Sequence, residues 1–144
     1  MSDRTFTIIK PNSVAKGDTG RIIDRLISEG FTLRAMKTVV MSRNDAARFY
    51  AVHRGKPFFE ELLDFMTSGA SVVAILEKKD AVKQLRRLVG DTDPASAEPG
   101  TIRREFGESK GRNAIHASDS DENALMEWSQ FFGPGEIIEC DYKG

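Results

Sequence analysis

The residues best suited to chemistry lie in the stretch NAIHASD, residues 113–119. Within it, His116 follows a short apolar run and precedes the polar start of a predicted helix. The ordinary pKa of histidine is about 6.5, so a neutral imidazole offers a nitrogen lone pair near pH 7, where most amines are protonated. His116 can therefore attack phosphorus directly, or it can be a structural histidine at a strand end. The stretch by itself leaves both interpretations open.

Polar side chains elsewhere in the chain are suited to holding a phosphate. Lys10 ends a predicted strand, where it is either solvated or placed as a point charge for a phosphate. Arg86 and Arg87 end a predicted helix, where cations also offset the helix dipole. Residues 91–112 lack periodicity over a length typical of functional or disordered loops. We interpret this segment as functional because it carries Thr92, Arg103, Arg104 and Arg112.

Two familiar phosphate-binding loops and the usual metal clusters are missing from the sequence. It has no G-x-x-x-x-G-K-S/T loop, no G-x-G-x-x-G after a strand, and no cysteine or histidine cluster with metal spacing. Side chains must therefore hold any phosphate, and we expect any metal ion to arrive with a nucleotide.

Charge and composition narrow the class of protein. The 21 Lys and Arg residues and 22 Asp and Glu residues give a net charge of -1, so no general basic surface for nucleic acid is expected. The single cysteine, Cys140, cannot form an intrachain disulfide, and no signal peptide or membrane-length apolar run is present. We expect one domain over residues 1–144, soluble and cytoplasmic, with no membrane attachment.

Apolar periodicity and turn residues predict the elements that must position these side chains. The predicted order is strand 5–10, a helix from Asp18 or Thr19 to Gly30, strand 31–41 with the imperfect alternation of a bulge, two short helices beginning at Ser42 or Asn44 and at Pro57, strand 71–76, helix 81–89, loop 91–112, a short strand holding His116, and a helix beginning at Ser118 or Ser120. Strand 71–76 is a continuous apolar run, so we expect it at the centre of the sheet. The order matches a βαββαβ plait with extra helices, and we expect helices on one face of the sheet.

Two helical segments carry candidates for binding or orienting roles. The helix after Pro57 has more apolar residues than one buried face needs, so Phe58 is a candidate platform for a flat ligand. In the last helix, Glu127 borders the apolar side and is suited to orienting an imidazole. We interpret His53 as structural or solvent-facing. The expected buried side of the last helix consists of Ala124, Leu125, Trp128, Phe131 and Phe132.

Four segments together resemble the nucleoside diphosphate kinase family, of the bacterial type, over essentially the whole chain. They are Lys10-Pro-Asn, Lys56-Pro-Phe-Phe59, Pro99-Gly-Thr-Ile-Arg103 and Asn113-x-x-His116-Ala-Ser118-Asp119. The resemblance implies an α+β fold, a ferredoxin-like βαββαβ sandwich with an antiparallel sheet. It also implies ping-pong transfer of the γ-phosphate of a nucleoside triphosphate, mainly ATP, to a nucleoside diphosphate through a phosphohistidine.

The resemblance also implies a role for each matching residue. His116 would be the nucleophile, with Glu127 and Ser118 orienting its ring, and Tyr50 and Lys10 would lie near the transferred phosphoryl group. The nucleotide would be bound by Arg86, Thr92 and Arg103 at the phosphates, by Lys10 and Asn113 at the sugar hydroxyls, and by Phe58 and Leu62 at the base. The implied cofactor is Mg²⁺, held mainly by the nucleotide phosphates and not by a protein metal site.

Two positions depart from the family pattern. Ala117 stands where glycine is frequent, and Lys110 stands where some relatives place an apolar residue against the base. Pro94 would lie in the long loop that the family uses for the site and for subunit contacts. The resemblance further implies a homo-oligomer built on a common dimer; we expect a tetramer, with a hexamer as the alternative. The short C-terminus fits a bacterial member.

Two other classes of protein are alternatives. A βαββαβ plait can be an RNA-binding module, but the aromatic strand pattern of such modules is missing and the net charge is nearly neutral. The second alternative is a regulatory protein that has the fold without the activity. The sequence does not distinguish it from an enzyme, because a sequence shows residues and not rates. Transfer of phosphate from ATP to a second nucleoside diphosphate separates these three functions. We do not expect a nucleic acid as the main substrate.

Overall fold

The computed structural model describes residues 3–144, built around one four-stranded antiparallel sheet. The strands are β1 (Arg4–Ile9), β2 (Thr32–Val39), β3 (Ser71–Glu77) and β4 (Ile115–Ala117). They lie in the order β2-β3-β1-β4, and every neighbouring pair is antiparallel. This topology confirms the predicted βαββαβ plait.

The helices connect the strands and follow β4. They are α1 (Pro11–Ala15), α2 (Thr19–Ser28), α3 (Arg43–Phe49), α4 (Phe59–Met66), α5 (Ala81–Val89), α6 (Ile102–Phe106) and α7 (Asp121–Phe131), with short 3-10 turns at Ala51–His53 and Pro134–Glu136. Within residues 3–144, none of them is both long and apolar enough to cross a membrane.

Most of the predicted elements are confirmed, and two short helices were not predicted. β3 lies inside the sheet, and β2 has a bulge between Leu33 and Ala35, as expected. The helix α1 follows β1 directly, because Pro11 suits the first helical position, where its missing N–H needs no partner. The helix α6 interrupts the predicted loop 91–112, because the Thr101 hydroxyl caps it by accepting the Arg104 N–H.

The prediction that helices cover only one face of the sheet is wrong. One core cluster contains Ile9 and Leu76 and buries residues of α2, α5 and α6. A second cluster contains Ile8 and Ile75 and buries residues of α3 and α4. Successive residues of a strand point to opposite faces, so a strand as fully buried as β3 requires cover on both sides.

The buried side of α7 differs from the prediction at Leu125. Ala124 is buried, and Trp128 and Phe131 are half-buried against the second cluster, but Leu125 is 54% exposed. Ala124, Trp128 and Phe131 share one helical face, whereas Leu125 lies about 100° around the helix from Ala124. Phe132, which follows the last helical residue, is buried as expected.

The strand β4 lies at one edge of the sheet and carries His116, which is paired opposite Ile8 of β1. Just before β4, Ala114 has a φ of 77°, in the left-handed region that non-glycine residues rarely adopt. The carbonyl of Ala114 accepts the backbone N–H of Lys10 at 2.8 Å. This tight turn therefore brings the end of β1 beside the start of β4.

Candidate active site

The imidazole of His116 projects from β4 into aromatic surroundings. Ile115 and Ala117 belong to the core cluster on the α5 side of the sheet, so His116 points to the opposite face. Its ring centroid lies 5.2 Å from that of Phe49 in α3, at an interplanar angle of 79°, and 6.3 Å from that of Phe6 in β1. The His116 side chain is 20% exposed, so part of the ring remains accessible.

Glu127 fixes the proton on the His116 ring. Its carboxylate oxygen Oε1 lies 2.7 Å from His116 Nε2 and accepts the hydroxyl of Ser118 at 2.6 Å. The Ser120 hydroxyl caps α7, which sets the position of Glu127 on that helix. A carboxylate can only accept hydrogen bonds, so this contact favours the tautomer with the proton on Nε2. The lone pair is therefore left on Nδ1.

A cavity of about 240 Å³ lies on the α5 side of β4. Its lining residues are Arg86, Val89, Gly90, Asp91, Thr92, Arg103 and Ala117. The three residues predicted to hold phosphates, Arg86, Thr92 and Arg103, thus come together in one cavity, beside the residue that follows His116. Gly90 has a φ of 90°, and a Cβ there would lie 2.7 Å from the Thr101 side chain, so the wall requires glycine.

Backbone carbonyl groups orient the two arginines of this cavity. Arg103 donates to the carbonyl oxygens of Gly90 at 3.1 Å and of Ile115 at 2.8 Å, and Arg86 donates to that of Ala117 at 3.4 Å. Burial, followed by the charge of Arg86, lowers the pKa of Arg103 to about 10. The guanidinium groups are therefore held at the carbonyl groups next to His116 in the chain, and Arg103 keeps its charge at neutral pH.

Lys10 is the most deeply buried cation of the site. Its ammonium donates to Asn113 Oδ1 at 2.9 Å, and the Asn113 side chain donates to the carbonyl oxygen of Thr92 at 3.1 Å. Burial, followed by the charge of Arg103, lowers the pKa of Lys10 to about 7. One hydrogen-bonded chain thus joins three of the predicted site residues, Lys10, Asn113 and Thr92.

Tyr50 places a polar group in the apolar part of the site. Its ring lies 4.9 Å from that of Phe49, which contacts His116. Its hydroxyl is buried and has no hydrogen-bond partner among residues 3–144. Burial, followed by the negative charge of Glu127, raises the pKa of Tyr50, so the hydroxyl keeps its proton. An unsatisfied buried donor is available to a ligand.

The two residues predicted to bind the base lie at the start of α4. Phe58 precedes α4 and is 46% exposed, and Leu62 is half-buried in the first half of α4. Neither of them lines the cavity between α5 and β4. The ring of Phe58 lies 5.3 Å from that of His53, which is half-buried. Burial, followed by the charge of Lys56, lowers the pKa of His53.

Sequence reasoning missed two features of the site. It did not single out Phe49, whose ring contacts the His116 imidazole; its position next to Tyr50 was the available signal. It also missed the strained turn at Ala114, for which the residue type gives no signal. In the part of the chain that the structure describes, no three or more His, Cys, Asp or Glu side chains are grouped to hold a metal ion.

Comparisons with known proteins agree with the fold and the motifs. Residues 3–137 match the family model described as nucleoside diphosphate kinase. A nucleoside diphosphate kinase from a Nitratiruptor species is 52% identical over 136 residues, which are 94% of this chain and 99% of that protein. Another from Chlorobium limicola is 47% identical over 139 residues, which are 96% of this chain and 99% of that protein.

Two solved structures are similar over almost their whole length. The Aquifex aeolicus nucleoside diphosphate kinase aligns with a TM-score of 0.92 at 47% identity, covering 94% of this chain and 99% of that one. A halophilic nucleoside diphosphate kinase from Halobacterium salinarum, solved in complex with CDP, aligns with a TM-score of 0.94 at 36% identity, covering 99% and 95%. The expected resemblance, the ferredoxin-like α+β fold and the phosphotransferase class are confirmed. The chain belongs to the nucleoside diphosphate kinase family.

Proposed function

We propose that this enzyme passes the γ-phosphoryl group of a nucleoside triphosphate, mainly ATP, to a nucleoside diphosphate through His116. The observation that supports this most is the His116 imidazole itself. Glu127 accepts its Nε2–H at 2.7 Å, so the lone pair lies on Nδ1. A neutral nitrogen with its proton fixed elsewhere is a nucleophile that needs no separate base.

In the first half-reaction, Nδ1 attacks the γ-phosphorus. A P–N bond forms while the bond from this phosphorus to the β–γ bridging oxygen breaks, and the nucleoside diphosphate leaves. In the second half-reaction, a terminal oxygen of another diphosphate attacks the same phosphorus and the P–N bond breaks. Glu127 supports the positive charge that the imidazole gains, and Ser118 holds the carboxylate in place.

The cations of the site match the charge of the substrate. We assign Arg86, Thr92 and Arg103 to the nucleotide phosphates because they line one cavity. Lys10 and Tyr50 are assigned to the transferred group, since both are buried polar side chains. The Tyr50 ring packs on Phe49, which contacts His116. Phosphoryl transfer depends mainly on positioning and charge stabilisation. Asn113 joins Lys10 in binding the sugar hydroxyls, as the hydrogen bond between them supports.

Phe58 and Leu62 are assigned to the base. Phe58 is 46% exposed although it is a large aromatic residue, so its face is available for stacking. Every base has a π-face, and stacking discriminates poorly between bases. We therefore propose that the enzyme accepts purine and pyrimidine, ribo and deoxyribo nucleotides alike.

We propose that Mg²⁺ is part of the substrate, as the nucleotide complex. The cavity lining supplies one carboxylate, Asp91, whereas a protein site for this ion usually requires several oxygen ligands. Calorimetry should therefore detect little Mg²⁺ binding to the free protein and clear binding in the presence of a nucleoside diphosphate. Tight stoichiometric binding to the free protein would contradict this assignment.

The direct test is transfer from γ-labelled ATP to a second nucleoside diphosphate. Wild type and His53→Ala should both transfer the label and carry an acid-labile, base-stable phosphoenzyme. His116→Ala should lose both, with at least about a thousandfold lower turnover. Labelling of His116→Ala but not of His53→Ala would move the nucleophile to His53. Absence of any transfer by the wild type would favour a regulatory protein with this fold.

We further propose a homo-oligomer, with a tetramer favoured over a hexamer. The edge strand β2 supports association, because Met36 on it is 49% exposed and Val40 just beyond it is 70% exposed. Apolar side chains at a sheet edge favour contact with another chain. Light scattering should give four times the chain mass of 16.0 kDa, whereas six times that mass would identify the hexamer.

We also propose that residues 1–144 act as a single domain located in the cytoplasm. Both core clusters pack on the same sheet, which supports a single folding unit. The cytoplasmic location follows from the proposed substrates, since nucleoside triphosphates are made there. Cell fractionation with an antibody against the chain tests the location.

A further inference from the structure

The ring of Phe49 contacts the nucleophile but has no part in the proposed function above. Phe49 ends α3 and is half-buried. Its centroid lies 5.2 Å from that of the His116 imidazole, with 79° between the ring planes. Aromatic pairs prefer this near-perpendicular arrangement to a face-to-face one. The contact therefore favours one orientation of the imidazole.

Other aromatic rings hold Phe49 in place. Its centroid lies 6.0 Å from that of Phe6 and 5.9 Å from that of Phe131, and these two rings stack on each other at 5.6 Å with 9° between their planes. The Tyr50 ring meets Phe49 at 4.9 Å. The rings come from β1, α3 and α7, so three elements converge here. These contacts restrict the position of the Phe49 side chain, so its ring can in turn restrict the imidazole.

The hydrogen bond to Glu127 does not by itself determine the plane of the imidazole. It holds the ring at one atom, Nε2, about which the ring can still tilt. Attack on phosphorus requires the Nδ1 lone pair to point at an atom about 3–3.5 Å away. Phe49 supplies a second restraint, because tilting of the imidazole toward α3 would bring it into the phenyl ring.

We propose that Phe49 is a positioning residue for phosphoryl transfer: it holds the plane of the His116 imidazole and keeps water from the phosphohistidine on that side. This inference rests on the proposed function of His116. In the competing reaction, a water oxygen attacks phosphorus and a P–O bond forms as the P–N bond breaks. Inorganic phosphate leaves with the protons of the water, and Nδ1 regains its lone pair. An apolar ring gives such a water no hydrogen-bond partner. Phe49 thus favours transfer to a nucleotide over hydrolysis.

The test compares variants that keep or remove the aromatic ring. Phe49→Leu and Phe49→Met both remove the ring while keeping an apolar side chain, so one of them remains informative if the other fails to fold. Phe49→Tyr keeps the ring. Phe65→Leu is the matched control, because Phe65 is a buried phenylalanine of the same core cluster and lies outside the proposed catalytic residues.

Two kinetic quantities report on the proposal. At saturating MgATP, Phe49→Leu and Phe49→Met should form the phosphoenzyme about tenfold more slowly, with KM for the nucleotide within about twofold of wild type. The isolated phosphoenzyme of these variants should hydrolyse about fivefold faster. Phe49→Tyr should restore both quantities to near wild type, and Phe65→Leu should change neither.

A spectroscopic measurement separates this inference from the proposed function. Nitrogen NMR of the free enzyme should show sharp ring signals for His116 in wild type, and signals broadened by exchange in Phe49→Leu, because Glu127 still sets the tautomer but the plane of the ring is no longer held. This readout does not require catalysis, so it remains decisive if wild type proves inactive and the proposed function fails. Unchanged His116 signals in a folded ring-less variant, or equal kinetic effects in Phe49→Leu and Phe65→Leu, would overturn the role of Phe49.

Discussion

Two clusters of basic side chains in this fold differ in the groups that they contact. On the sheet, Arg4 and Arg34 both form ion pairs with Glu77, at 2.8 and 2.7 Å. They also reach the C-terminal segment, where Arg4 contacts Glu139 at 2.7 Å and Arg34 contacts Asp141 at 2.9 Å. Hydrogen bonds from Arg34 and Arg4 lower the pKa of Glu77. This cluster, called the C-terminal clasp below, neutralises its charges within the protein.

The basic residues of the candidate active site have different partners. Arg86 and Arg103 donate to backbone carbonyl oxygens, and Lys10 donates to the Asn113 amide. Within residues 3–144, none of these three forms an ion pair with a carboxylate. Burial lowers the pKa of Lys10 to about 7 and that of Arg103 to about 10. Burial of a cation that forms no ion pair is costly. A bound phosphate therefore supplies Lys10 and Arg103 with the negative charge that carboxylates supply in the C-terminal clasp.

Arg103→Met tests this contrast most strongly. It removes a cation that forms no ion pair within residues 3–144 and that we assign to a nucleotide phosphate, so kcat/KM should fall about 10²–10³-fold. Arg34→Met is the matched change in the C-terminal clasp. It should leave kcat/KM within about twofold and measurably lower the free energy of unfolding. Steady-state kinetics and urea denaturation should be measured for both variants. A large loss of kcat/KM in Arg34→Met, with only a loss of stability in Arg103→Met, would contradict the proposed difference between the two clusters.

Lys10 should make substrate capture depend on pH. Since its pKa is about 7, the free enzyme loses this charge at higher pH, and kcat/KM should fall by about tenfold per pH unit above that value. The fall in kcat should come at higher pH, because bound phosphates favour the charged lysine. Lys10→Met should remove this pH dependence and show a low kcat/KM throughout. A flat wild-type profile from pH 7 to 9 would contradict the assignment.

The same lysine makes folding stability depend on pH in the opposite sense. The unfolded lysine has its ordinary pKa of 10.5, so between pH 7 and 10.5 it binds a proton that the folded one releases. Stability from this group therefore rises with pH through that window. Urea denaturation of wild type and Lys10→Met at pH 7 and 9 should show the rise only in wild type, which sets it apart from other titrating groups.

Glu127 is a carboxylate of the candidate site, but it contacts an imidazole and a hydroxyl, whereas the carboxylates of the C-terminal clasp contact arginines. Glu127→Ala should lower kcat by about tenfold to thirtyfold and leave KM nearly unchanged, since its role is to orient His116. Glu127→Gln keeps an acceptor oxygen and should fall between wild type and Ala. A large rise in KM with unchanged kcat would place Glu127 in the nucleotide-binding site.

Phe58→Ala should have the smallest effect, because the base brings no charge to the site. We expect kcat/KM to fall about tenfold for every base, which lies within the range of about 1–3 kcal/mol for stacking. ADP, GDP, CDP, UDP and dTDP with one fixed donor provide the comparison in wild type and mutant. A wild-type preference above roughly a hundredfold for one base would mean that hydrogen bonds read base edges, and the stacking assignment would fail.

Local patterns predicted most of the fold correctly. The continuous apolar run at 71–76 became the interior strand β3, and the helical period at 81–89 became α5 with the same bounds. The errors came where packing overrides local signals. Leu125 was predicted on the buried side of α7 but is exposed. The segment 91–112 was predicted as a loop but contains the helix α6, which the Thr101 side chain caps. Cover on both faces of the sheet depends on where distant helices pack, which periodicity does not encode.

The sequence by itself determined the strands, the helices and the chemical candidates, because propensity, periodicity and the His116 motif are properties of short segments. Only the tertiary structure decided which cations lie together without forming ion pairs among residues 3–144, and which ring lies beside the imidazole. Those contacts join residues far apart in the chain: Lys10 and Asn113 are separated by 103 positions, and Arg4 and Glu139 by 135. The net charge of -1 conceals both clusters, because burial and pairing, not composition, set the charge at each place.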